Sequence, residues 1–537
     1  MERLERLADA ASIGVLLIVA VVAGKTFRDY GLGWDDYTHA QYGELLLEFY
    51  RSGFQDQRAL SFVNLFMYGG GFDMAAALID RVTPFELFET RRLCGALVGL
   101  IGLTVTWLLA RRIGGPLAGC VAVTLLATSP QFYGHMFINP KDAPFAVAMV
   151  FLLYALVLAL EDYPRPRWSA VLAVGVGFGL SVGARIMGGL AVLYVIPPVL
   201  MLATSDALQS GWRAALRRFG QFTLYMLAAA IPAIAVCALV WPWVAFDPLN
   251  LFRAVGYFSH FFEKPWKEMF EGALISVPDM PRSYVPVLLS LKTQELMLLL
   301  YLAGLAGSAA AIVRGQLDMH RRAILTLIVL AAALPVAIAV LTRPAMYNGI
   351  RHFLFLLPPM AVIAGLAGAF ILRRAVQAGR LAGAAAGLVF AAGLLLPVSH
   401  MVRLHPYQYT YFNAIAGGVE AADERYMLDY WGLAFKQAGQ RLREILTERA
   451  ESAPPGRRWS IAVCGPHSAA QVELGPEFLP TWDPSNADFA LSLGTFYCAD
   501  LDAPVLVEIE REGVIYARVY DIRGIKVPGI FTMQPIR

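Results

Sequence analysis

LADAASIGVLLIVAVVAGKTFRDYGLGWDDYTH, residues 7–39, joins an apolar run to an acidic segment. The run from Leu7 to Gly24 is close to the length of a membrane-spanning helix, because a bilayer core about 30 Å thick needs roughly 20 apolar residues. Two adjacent carboxylates, Asp35 and Asp36, follow where the chain returns to water. The pattern predicts a membrane protein with a reaction centre at this helix exit.

Composition gives the same fold class for the whole chain. Of 537 residues, 58% are hydrophobic and 16% charged, and the mean hydropathy is +0.56. This is more apolar surface than a soluble protein buries. The net charge of +3 gives no reason to expect nucleic acid as a partner. The five cysteines show no metal-type spacing, and Cys464 and Cys498 can pair if the polar tail is outside the cytoplasm.

On the same length scale we expect a polytopic α-helical protein with about eleven transmembrane helices. The first has some signal-peptide character, and its retention is expected in a multispanning protein. The expected spans are Leu7 to Gly24, Leu93 to Ala110, Gly115 to Phe132, Ala143 to Leu160, Ala170 to Ala184, Gly188 to Ala203, Phe219 to Trp243, Leu296 to Val313, Ala323 to Leu341, Phe353 to Leu372 and Leu381 to Met401.

Arginines in the short loops orient these spans, because positive residues concentrate on the cytoplasmic side. The N-terminus is then cytoplasmic, and residues 25–92, 139–142, 244–295, 342–352 and the tail from 402 are extracytoplasmic. We expect a transmembrane domain over 1–401 and an extracytoplasmic α/β domain over 402–537. The arginines on the inner side are Arg111, Arg112, Arg165, Arg167, Arg213, Arg217, Arg218, Arg314, Arg321, Arg322, Arg373, Arg374 and Arg380.

The long outer loops and the tail have their own periodicities. Apolar residues recur at helical spacing from Tyr37 to Tyr50, and a second apolar stretch runs from Phe62 to Ile79, which predicts two interfacial helices. In the tail we expect a helix over 430–450 and strands over 460–464, 489–493 and 505–520. The last includes a hairpin turn at Glu512-Gly513.

Four motifs resemble those of a known family. They are the Asp-Asp pair after the first span, the Asn139-Pro140-Lys141-Asp142 turn, YNGIRHFLFLLP from Tyr347 to Pro358, and the tail motifs HPYQYTYFN and DYWG. Together they resemble bacterial GT-C glycosyltransferases of the protein-mannosyltransferase and aminoarabinose-transferase type, glycosyltransferase family 39. The resemblance implies a polyprenyl-phosphate-linked sugar as donor, an external acceptor, and inversion at the anomeric carbon.

The acidic residues are the candidate catalytic groups. An attacking hydroxyl needs a base within hydrogen-bond reach, and Asp35 is our candidate. Asp36 either orients Asp35 or raises its pKa by like-charge proximity; alternatively, one of the two is only the N-cap of the following helix. The better-known mannosyltransferase pattern here is Asp-Glu. Asp142 matches the acidic position of the next outer loop in the family, with helix capping as its alternative.

Cations in the outer loops are the candidate donor-phosphate ligands. Lys141 lies beside Asp142, and by resemblance Tyr347 and Arg351 contact the phosphate, where arginine offers a bidentate fork. The alternative is headgroup anchoring. Arg185 joins them if it faces the cavity rather than snorkelling to the interface. The segment from Asp279 to Lys292 resembles a loop over the donor site, which adds Arg282, Tyr284 and Lys292 as possible contacts.

Three histidines are possible supporting or metal-binding groups. His39 falls on the helical face of Asp35 and Asp36 if that helix begins early, and with His260 it can complete a divalent metal site. The alternative is that a lone histidine in a wet loop is only polar. His352 lies beside Arg351. No cofactor is certain. His405 and the tyrosines that follow it are interpreted as a hinge packing the tail domain on the membrane part.

These observations predict a glycosyltransferase in the bacterial inner membrane, in contact with membrane lipids. It would transfer a sugar from a polyprenyl-phosphate donor to a lipid, glycan or protein hydroxyl. The alternative is a transporter or flippase of lipid-linked sugars. Transporters carry charged sites near the bilayer midplane and often paired repeats, whereas these spans are nearly free of acid and no repeat is visible. An inactive relative acting as a scaffold is a third possibility.

Overall fold

The computed structural model describes residues 2–259, 266–315 and 317–532. The N-terminal part is helical because a chain crossing a bilayer must satisfy its backbone hydrogen bonds internally. The first helices are α1 (Glu2–Thr26), α2 (Asp36–Arg51), α3 (Gly71–Asp80), α4 (Leu87–Gly114), α5 (Pro116–Ala127), α6 (Pro130–Ile138), α7 (Asp142–Glu161), α8 (Trp168–Ala184), α9 (Ala191–Ser210), α10 (Trp212–Val240), α11 (Pro242–Phe246) and α12 (Asn250–Ser259).

A two-stranded antiparallel hairpin and five further helices complete the membrane part. They are β1 (Lys267–Phe270), β2 (Ala273–Ser276), α13 (Tyr284–Lys292), α14 (Glu295–Arg314), α15 (Met319–Thr342), α16 (Leu357–Ala378) and α17 (Arg380–Arg403).

Within the described ranges, nine helices are long and apolar enough to cross a membrane: α1, α4, α7, α9, α10, α14, α15, α16 and α17. Helices α5 and α8 are apolar but shorter. The expected class, a polytopic helical membrane protein, is confirmed. The central helices are α7 and α16, each with 78% of its apolar window buried, whereas α17 buries only 6%. The apolar side chains of α17 therefore face outward, as expected next to lipid.

One predicted span is wrong in its extent. The stretch from Gly115 to Phe132 is two helices, because α5 ends at Ala127 and α6 starts at Pro130. Ser129 caps α6 by accepting a hydrogen bond from Phe132 N–H, at 3.5 Å. Proline lacks the N–H of a helix interior and is suited to a first turn. After this break, α6 points toward the polar loops on the face of the membrane part where Asp35 lies.

The loops on that face are folded. Tyr42, Leu46 and Phe49 of α2 are buried and form a small core with Ala59 and Leu65. The apolar face of α2 thus packs on the protein itself. Its crossing with α3 is close, since a Cβ at Gly43 would lie 2.4 Å from the carbonyl oxygen of Asp73.

A sheet domain follows the last long helix. Its elements are α18 (Gly418–Asp423), α19 (Phe435–Glu448), β3 (Trp459–Cys464), α20 (His467–Leu474), β4 (Phe478–Thr481), β5 (Phe489–Leu493), β6 (Val505–Arg511) and β7 (Val514–Asp521). The strand order is β4-β3-β5-β7-β6, with β3 parallel to β4 and β5 and with β7 antiparallel to β5 and β6. The predicted strands and the hairpin turn at Glu512-Gly513 are confirmed, and a disulfide joins Cys464 to Cys498.

The junction between the two parts is the tail motif HPYQYTYFN, residues 405–413. Tyr407, Tyr409 and Tyr411 are fully buried, which confirms the interpretation of this motif as a packed hinge. Gln131 of α6 donates to the carbonyl oxygens of Tyr409 (2.8 Å) and Tyr411 (3.2 Å). Because these backbone groups are buried, such partners are required, and they fix the sheet domain on the membrane part.

Candidate active site

Asp35 is the last residue before α2, and its carboxylate faces two cations. Oδ2 lies 3.5 Å from Lys141 Nζ and 3.8 Å from Arg351 Nη1. The side chain makes no capping hydrogen bond to the helix and is 36% exposed. Helix capping therefore does not account for Asp35, although it occupies the cap position.

The charge state of Asp35 follows from these neighbours. Burial would raise the pKa of its carboxyl group, but Lys141 and Arg351 outweigh that effect and hold the pKa below its usual range. Burial lowers the pKa of the Lys141 ammonium, and Asp35 opposes that change. Asp35 is thus an ionised carboxylate at neutral pH.

Asp36 has a different environment from its neighbour. It is 1% exposed, and Arg92 donates to Oδ1 at 2.7 Å and to Oδ2 at 2.8 Å. Gly33 N–H donates to Oδ2 at 2.7 Å. Arg92 also donates to the carbonyl oxygen of Gly31 at 2.6 Å. Asp36 therefore holds the segment that carries Asp35 against α4.

Lys141 and Asp142 are fixed by Asn139 in the loop before α7. Asn139 Oδ1 accepts from the backbone N–H groups of Lys141 (3.1 Å) and Asp142 (2.8 Å), and its amide donates to Asp142 Oδ2 at 2.9 Å. The other oxygen of Asp142 lies 2.5 Å from Arg185 Nη2. Asp142 is thus a buried partner that aims Arg185. Arg185 lies where α8 meets the turn before α9 and is 11% exposed.

Aromatic rings separate and orient these cations. Tyr68 lies between Lys141 and Arg185, with its ring centroid 5.0 Å from Lys141 Nζ and 5.8 Å from Arg185 Cζ. Arg351 Cζ lies 5.0 Å from the Tyr347 ring and 5.1 Å from the Trp431 ring. Stacking of this kind holds a guanidinium in one plane while its N–H groups stay available.

Two cavities meet at these residues. The first, here the polar cavity, has a volume of about 370 Å³. The second, here the apolar cavity, has a volume of about 500 Å³. Tyr68 and Tyr347 line both. The polar cavity is also lined by Trp34, Asp35, His39, Asn64, Lys141, Asn348, Arg351, Tyr430, Trp431 and Tyr497. The apolar cavity is also lined by Arg185, Ile186, Met187, Leu190, Val255, Phe258, Ile338, Ala339, Met346, His352 and Phe353.

Some predicted residues do not join this cluster. Arg282 lies in an exposed turn and lines neither cavity. Tyr284 and Lys292 are buried away from both cavities, the tyrosine donating to Glu268 Oε1 at 2.8 Å. His260 lies outside the described residues. His352 packs edge-on against Tyr347, with ring centroids 4.7 Å apart.

The described part of the chain contains no ligand set for the predicted metal site. Over residues 2–259, 266–315 and 317–532, no group of three or more His, Cys, Asp or Glu side chains is arranged to hold a metal ion. His39 Nδ1 is engaged by Asp73 Oδ2 at 2.6 Å.

The chain resembles known proteins in sequence over part of its length and in fold over most of it. Residues 75–243 match the family described as dolichyl-phosphate-mannose-protein mannosyltransferase. No curated protein matches in sequence. Among solved structures, the archaeal oligosaccharyltransferase AglB from Archaeoglobus fulgidus, in complex with an inhibitory peptide and a dolichol-phosphate, superposes with a TM-score of 0.50 at 12% identity. That match covers 90% of this chain and 69% of AglB. The protein has the GT-C glycosyltransferase fold.

Two further structures resemble the chain less well. ArnT from Cupriavidus metallidurans in the apo state gives a TM-score of 0.48 at 15% identity, covering 95% of this chain and 97% of ArnT. The apo Archaeoglobus fulgidus oligosaccharyltransferase gives 0.49 at 15% identity. The chain covers 65% of that oligosaccharyltransferase.

Several residues of this candidate site were missed from the sequence. Tyr68 and Asp73 fall in an apolar stretch around three glycines that gave no polar signal. Glu268 accepts from the backbone N–H of Asn348 at 2.6 Å and of Gly349 at 3.3 Å, yet it lies in a loop with no motif. Tyr430 belongs to the quoted DYWG motif, and its hydroxyl lies 2.9 Å from His135 Nε2. Only that motif marked its position.

Proposed function

We propose that the protein is a membrane glycosyltransferase that moves a sugar from a polyprenyl-phosphate donor to an extracytoplasmic hydroxyl, with inversion at the anomeric carbon. The observation that carries the proposal is the meeting of Asp35, Lys141 and Arg351 at the junction of the polar and apolar cavities. A carboxylate, two cations, a polar space and an apolar space are the parts that this reaction requires.

The donor would lie across the junction. Its isoprenoid chain would enter the apolar cavity, whose wall includes Ile186, Leu190 and Ile338. Its phosphate would stop at Arg185, which lines that cavity, and at Lys141 and Arg351, which line the polar one. Arginine binds phosphate through a fork of N–H groups, and lysine binds it as a point charge. The AglB structure named above contains a dolichol-phosphate, a ligand of the same class.

The sugar would occupy the polar cavity. Trp34, Tyr430 and Trp431 supply aromatic faces there, and Asn348 supplies a side-chain amide. The acceptor hydroxyl would approach Asp35 from the face of the sugar opposite the phosphate. Direct displacement from that side inverts the anomeric carbon.

Asp35 would act as the base, and donor binding would prepare it for that role. Without a donor, Lys141 and Arg351 neutralise its charge and hold its pKa low, which makes it a weak base. A phosphate that takes over both cations removes part of that stabilisation. The basicity of Asp35 would then rise only when the donor is bound.

The leaving group is a polyprenyl phosphate that gains charge as the bond to the sugar breaks. Preorganised cations stabilise such charge without reorganising at the moment of reaction. Asp142 would contribute by holding Arg185, its 2.5 Å partner, toward the phosphate. In this arrangement Asp35 and Asp142 act on opposite ends of the reaction.

The proposed location is the bacterial inner membrane with the sheet domain in the periplasm. The disulfide between Cys464 and Cys498 supports this side, because disulfides persist in oxidising compartments. The acceptor would be a lipid, glycan or protein hydroxyl that reaches the polar cavity from there.

The test is transfer by the purified full-length protein in proteoliposomes, with radiolabelled polyprenyl-phosphate sugars and a membrane extract as the source of acceptor. We expect Asp35→Asn to lower the transfer rate about 10²- to 10⁴-fold, and Asp142→Asn to weaken donor use by misplacing Arg185. The matched control is Asp56→Asn, an aspartate of the same loop whose partner is Arg58. Transfer by both site variants at the parental rate would falsify the proposed site.

A further inference from the structure

His39 and Asp73 form a buried pair beside the proposed base. His39 lies one helical turn after Asp35 on α2, and its backbone N–H donates to the Asp35 carbonyl oxygen at 3.0 Å. Its Nδ1 lies 2.6 Å from Asp73 Oδ2, and both residues are 2% exposed. Arg91 of α4 donates to the other oxygen of Asp73 at 2.5 Å. Three elements, α2, α3 and α4, therefore fix one imidazole ring.

The hydrogen bond decides which ring nitrogen carries the proton. Burial would raise the pKa of Asp73, but the charge of Arg91 and the hydrogen bonds from His39 and Arg91 outweigh it and lower that pKa, so the carboxylate is ionised and can only accept. Nδ1 of His39 must then be the donor. In a neutral ring this leaves the lone pair on Nε2.

Nε2 is the unusual atom of the pair. It is buried and has no hydrogen-bond partner among the described residues. Buried polar atoms are nearly always satisfied, and an exception in a folded protein requires an explanation. The His39 ring lines the polar cavity, as Asp35 does. An unpartnered acceptor on the wall of the cavity is positioned for a group that arrives with the substrates.

We propose that Nε2 of His39 receives the proton that leaves the attacking hydroxyl, passed on by Asp35, and that Asp73 is the positioning residue for this step. The inference rests on the proposed glycosyl transfer and adds a second proton carrier to it.

In this step the acceptor hydroxyl gives its proton to the Asp35 carboxylate. The acceptor O–H bond breaks while its oxygen bonds to the anomeric carbon. The bond from that carbon to the phosphate oxygen breaks, and its electron pair leaves with the polyprenyl phosphate. The proton passes from Asp35 to Nε2, which gives an imidazolium ion next to the Asp73 carboxylate. The imidazolium then returns its proton to water or to the released phosphate.

The environment explains why a second carrier is needed. The part of the stabilisation by Lys141 and Arg351 that remains when the donor is bound still favours the ionised form of Asp35, so its carboxyl group holds a proton poorly. The imidazolium of His39, by contrast, would form next to a carboxylate. A contact between α2 and α3 needs only the Nδ1 hydrogen bond and gives no reason for a buried Nε2 without a partner.

His39→Asn separates the two roles. The Asn amide can occupy the position of Nδ1 and keep the hydrogen bond to Asp73, but it cannot take a proton. We expect a folded protein with parental affinity for polyprenyl phosphate and a kcat lower by about 10²-fold. Donor KM should change little. Asp73→Asn should lower kcat in the same way. The Asn amide can donate to Nδ1 or accept from it, so it no longer fixes the tautomer of the His39 ring. Glu44→Gln, an exposed position on α2, serves as the control expected to behave as the parent.

Two readouts exclude a merely structural effect. Added imidazole should restore part of the transfer rate of His39→Ala, and this variant also covers the case in which His39→Asn fails to fold. Acceptors with more acidic hydroxyls should narrow the gap between His39→Asn and the parent, since less proton removal is needed. A folded His39→Asn that transfers at the parental rate, in a preparation whose parent is active, overturns this inference alone. A parent that transfers from no polyprenyl-phosphate sugar overturns the proposed function and this inference with it.

Discussion

Two adjacent aspartates of one sequence motif have opposite environments. Asp35 is partly exposed, and its Oδ2 lies 3.5 Å from Lys141 Nζ and 3.8 Å from Arg351 Nη1. Asp36 is buried in direct contact with Arg92. Successive residues at a helix start point in different directions, so the Asp35 carboxylate lies at the cavity and the Asp36 carboxylate lies in the core. The pair therefore consists of the proposed base, Asp35, and a buried anchor, Asp36.

The anchor predicts a stability effect rather than a kinetic one. Asp36→Asn leaves the Arg92 guanidinium buried without its counter-charge, and breaking a buried pair in this way costs about 3–5 kcal/mol. We expect a clearly lower thermal midpoint in detergent, with transfer per folded molecule nearly unchanged at low temperature. Asp56→Asn, which loses only an exposed pair, should cost less than about 1 kcal/mol. Equal midpoints for the parent and Asp36→Asn would show that Arg92 does not depend on this carboxylate.

Lys292 gives a prediction for the pH dependence of stability. It is 1% exposed at the end of α13, its Nζ 3.4 Å from the Tyr409 carbonyl oxygen and 4.1 Å from the Phe412 ring centroid. Burial lowers the pKa of its ammonium to about 7. Between that pH and its ordinary value of 10.5, the unfolded chain binds a proton that the folded chain does not, so stability rises with pH across this window.

Replacing Lys292 by Met should remove this dependence. At about 1.4 kcal/mol for each pH unit, the cost of charging the buried ammonium is of the order of 5 kcal/mol below pH 7. Lys292→Met should therefore exceed the parent in thermal midpoint at pH 6, and the gap should narrow by pH 9. Lys267→Met, at an exposed lysine of β1, is the control. If the thermal midpoints of Lys292→Met and the parent differ by the same amount at pH 6 and pH 9, the difference comes from packing and not from charge.

At the scale of elements, a hairpin holds the turn that carries Tyr347 and Arg351. Asn348 and Gly349 both have left-handed backbone, with φ of 56° and 68°. Glu268 of β1 accepts from both of their N–H groups and from the Tyr284 hydroxyl. Its buried carboxylate thus satisfies a strained turn from outside. The orientation of Arg351 depends on an element more than 80 residues away in sequence.

Glu268→Gln should loosen this turn. The amide offers one acceptor oxygen where the carboxylate offers two, so one N–H group loses its partner, at a cost of about 1–3 kcal/mol. We expect donor KM to rise roughly five- to tenfold, with a smaller change in kcat, because the phosphate contacts of Arg351 weaken in all states alike. Steady-state kinetics against donor concentration measure this. Glu271→Gln, at the exposed tip of the same hairpin, is the control and should leave the donor KM unchanged. If the donor KM is unchanged in Glu268→Gln as well, the hairpin does not contribute to donor binding.

The elements were predictable where local pattern decides them. Apolar length gave the long spans, and alternation gave β3, β5 and the β6-β7 hairpin. The break between α5 and α6 was missed because the polar interruption from Thr128 to Gln131 is short and lies between two apolar runs, so apolar length alone did not reveal it. Of the site, the sequence supplied Asp35, Lys141 and Arg351 through their motifs. It did not supply Asp73, Tyr68 or Glu268, since their roles exist only in contacts between distant segments.

At the scale of the whole molecule, the sheet domain closes the site that the membrane part begins. Trp34 N–H donates to the Trp431 carbonyl oxygen at 3.1 Å, and a Cβ at Gly33 would lie 1.8 Å from the Trp431 ring. The loop that carries Asp35 and the loop that carries Trp431 are therefore packed with no room for a side chain at Gly33. The membrane part and the sheet domain each supply one wall of the polar cavity. The sheet domain must therefore lie on the same side of the membrane as Asp35.

This arrangement makes sidedness a test of the mechanism. A periplasmic acceptor requires that the sheet domain be outside, and the arginine-rich loops predict the same orientation. Ser485 is exposed in the sheet domain, and Ser210 is exposed as the last residue of α9, on the opposite face of the membrane part. In intact cells with a permeabilised outer membrane, Ser485→Cys should react with a membrane-impermeant maleimide, and Ser210→Cys should react only after lysis. Each variant is made with Cys94, Cys120 and Cys237 replaced by serine or alanine, and the disulfide pair is left in place. The reverse labelling pattern would put Asp35 in the cytoplasm and require an acceptor from that side.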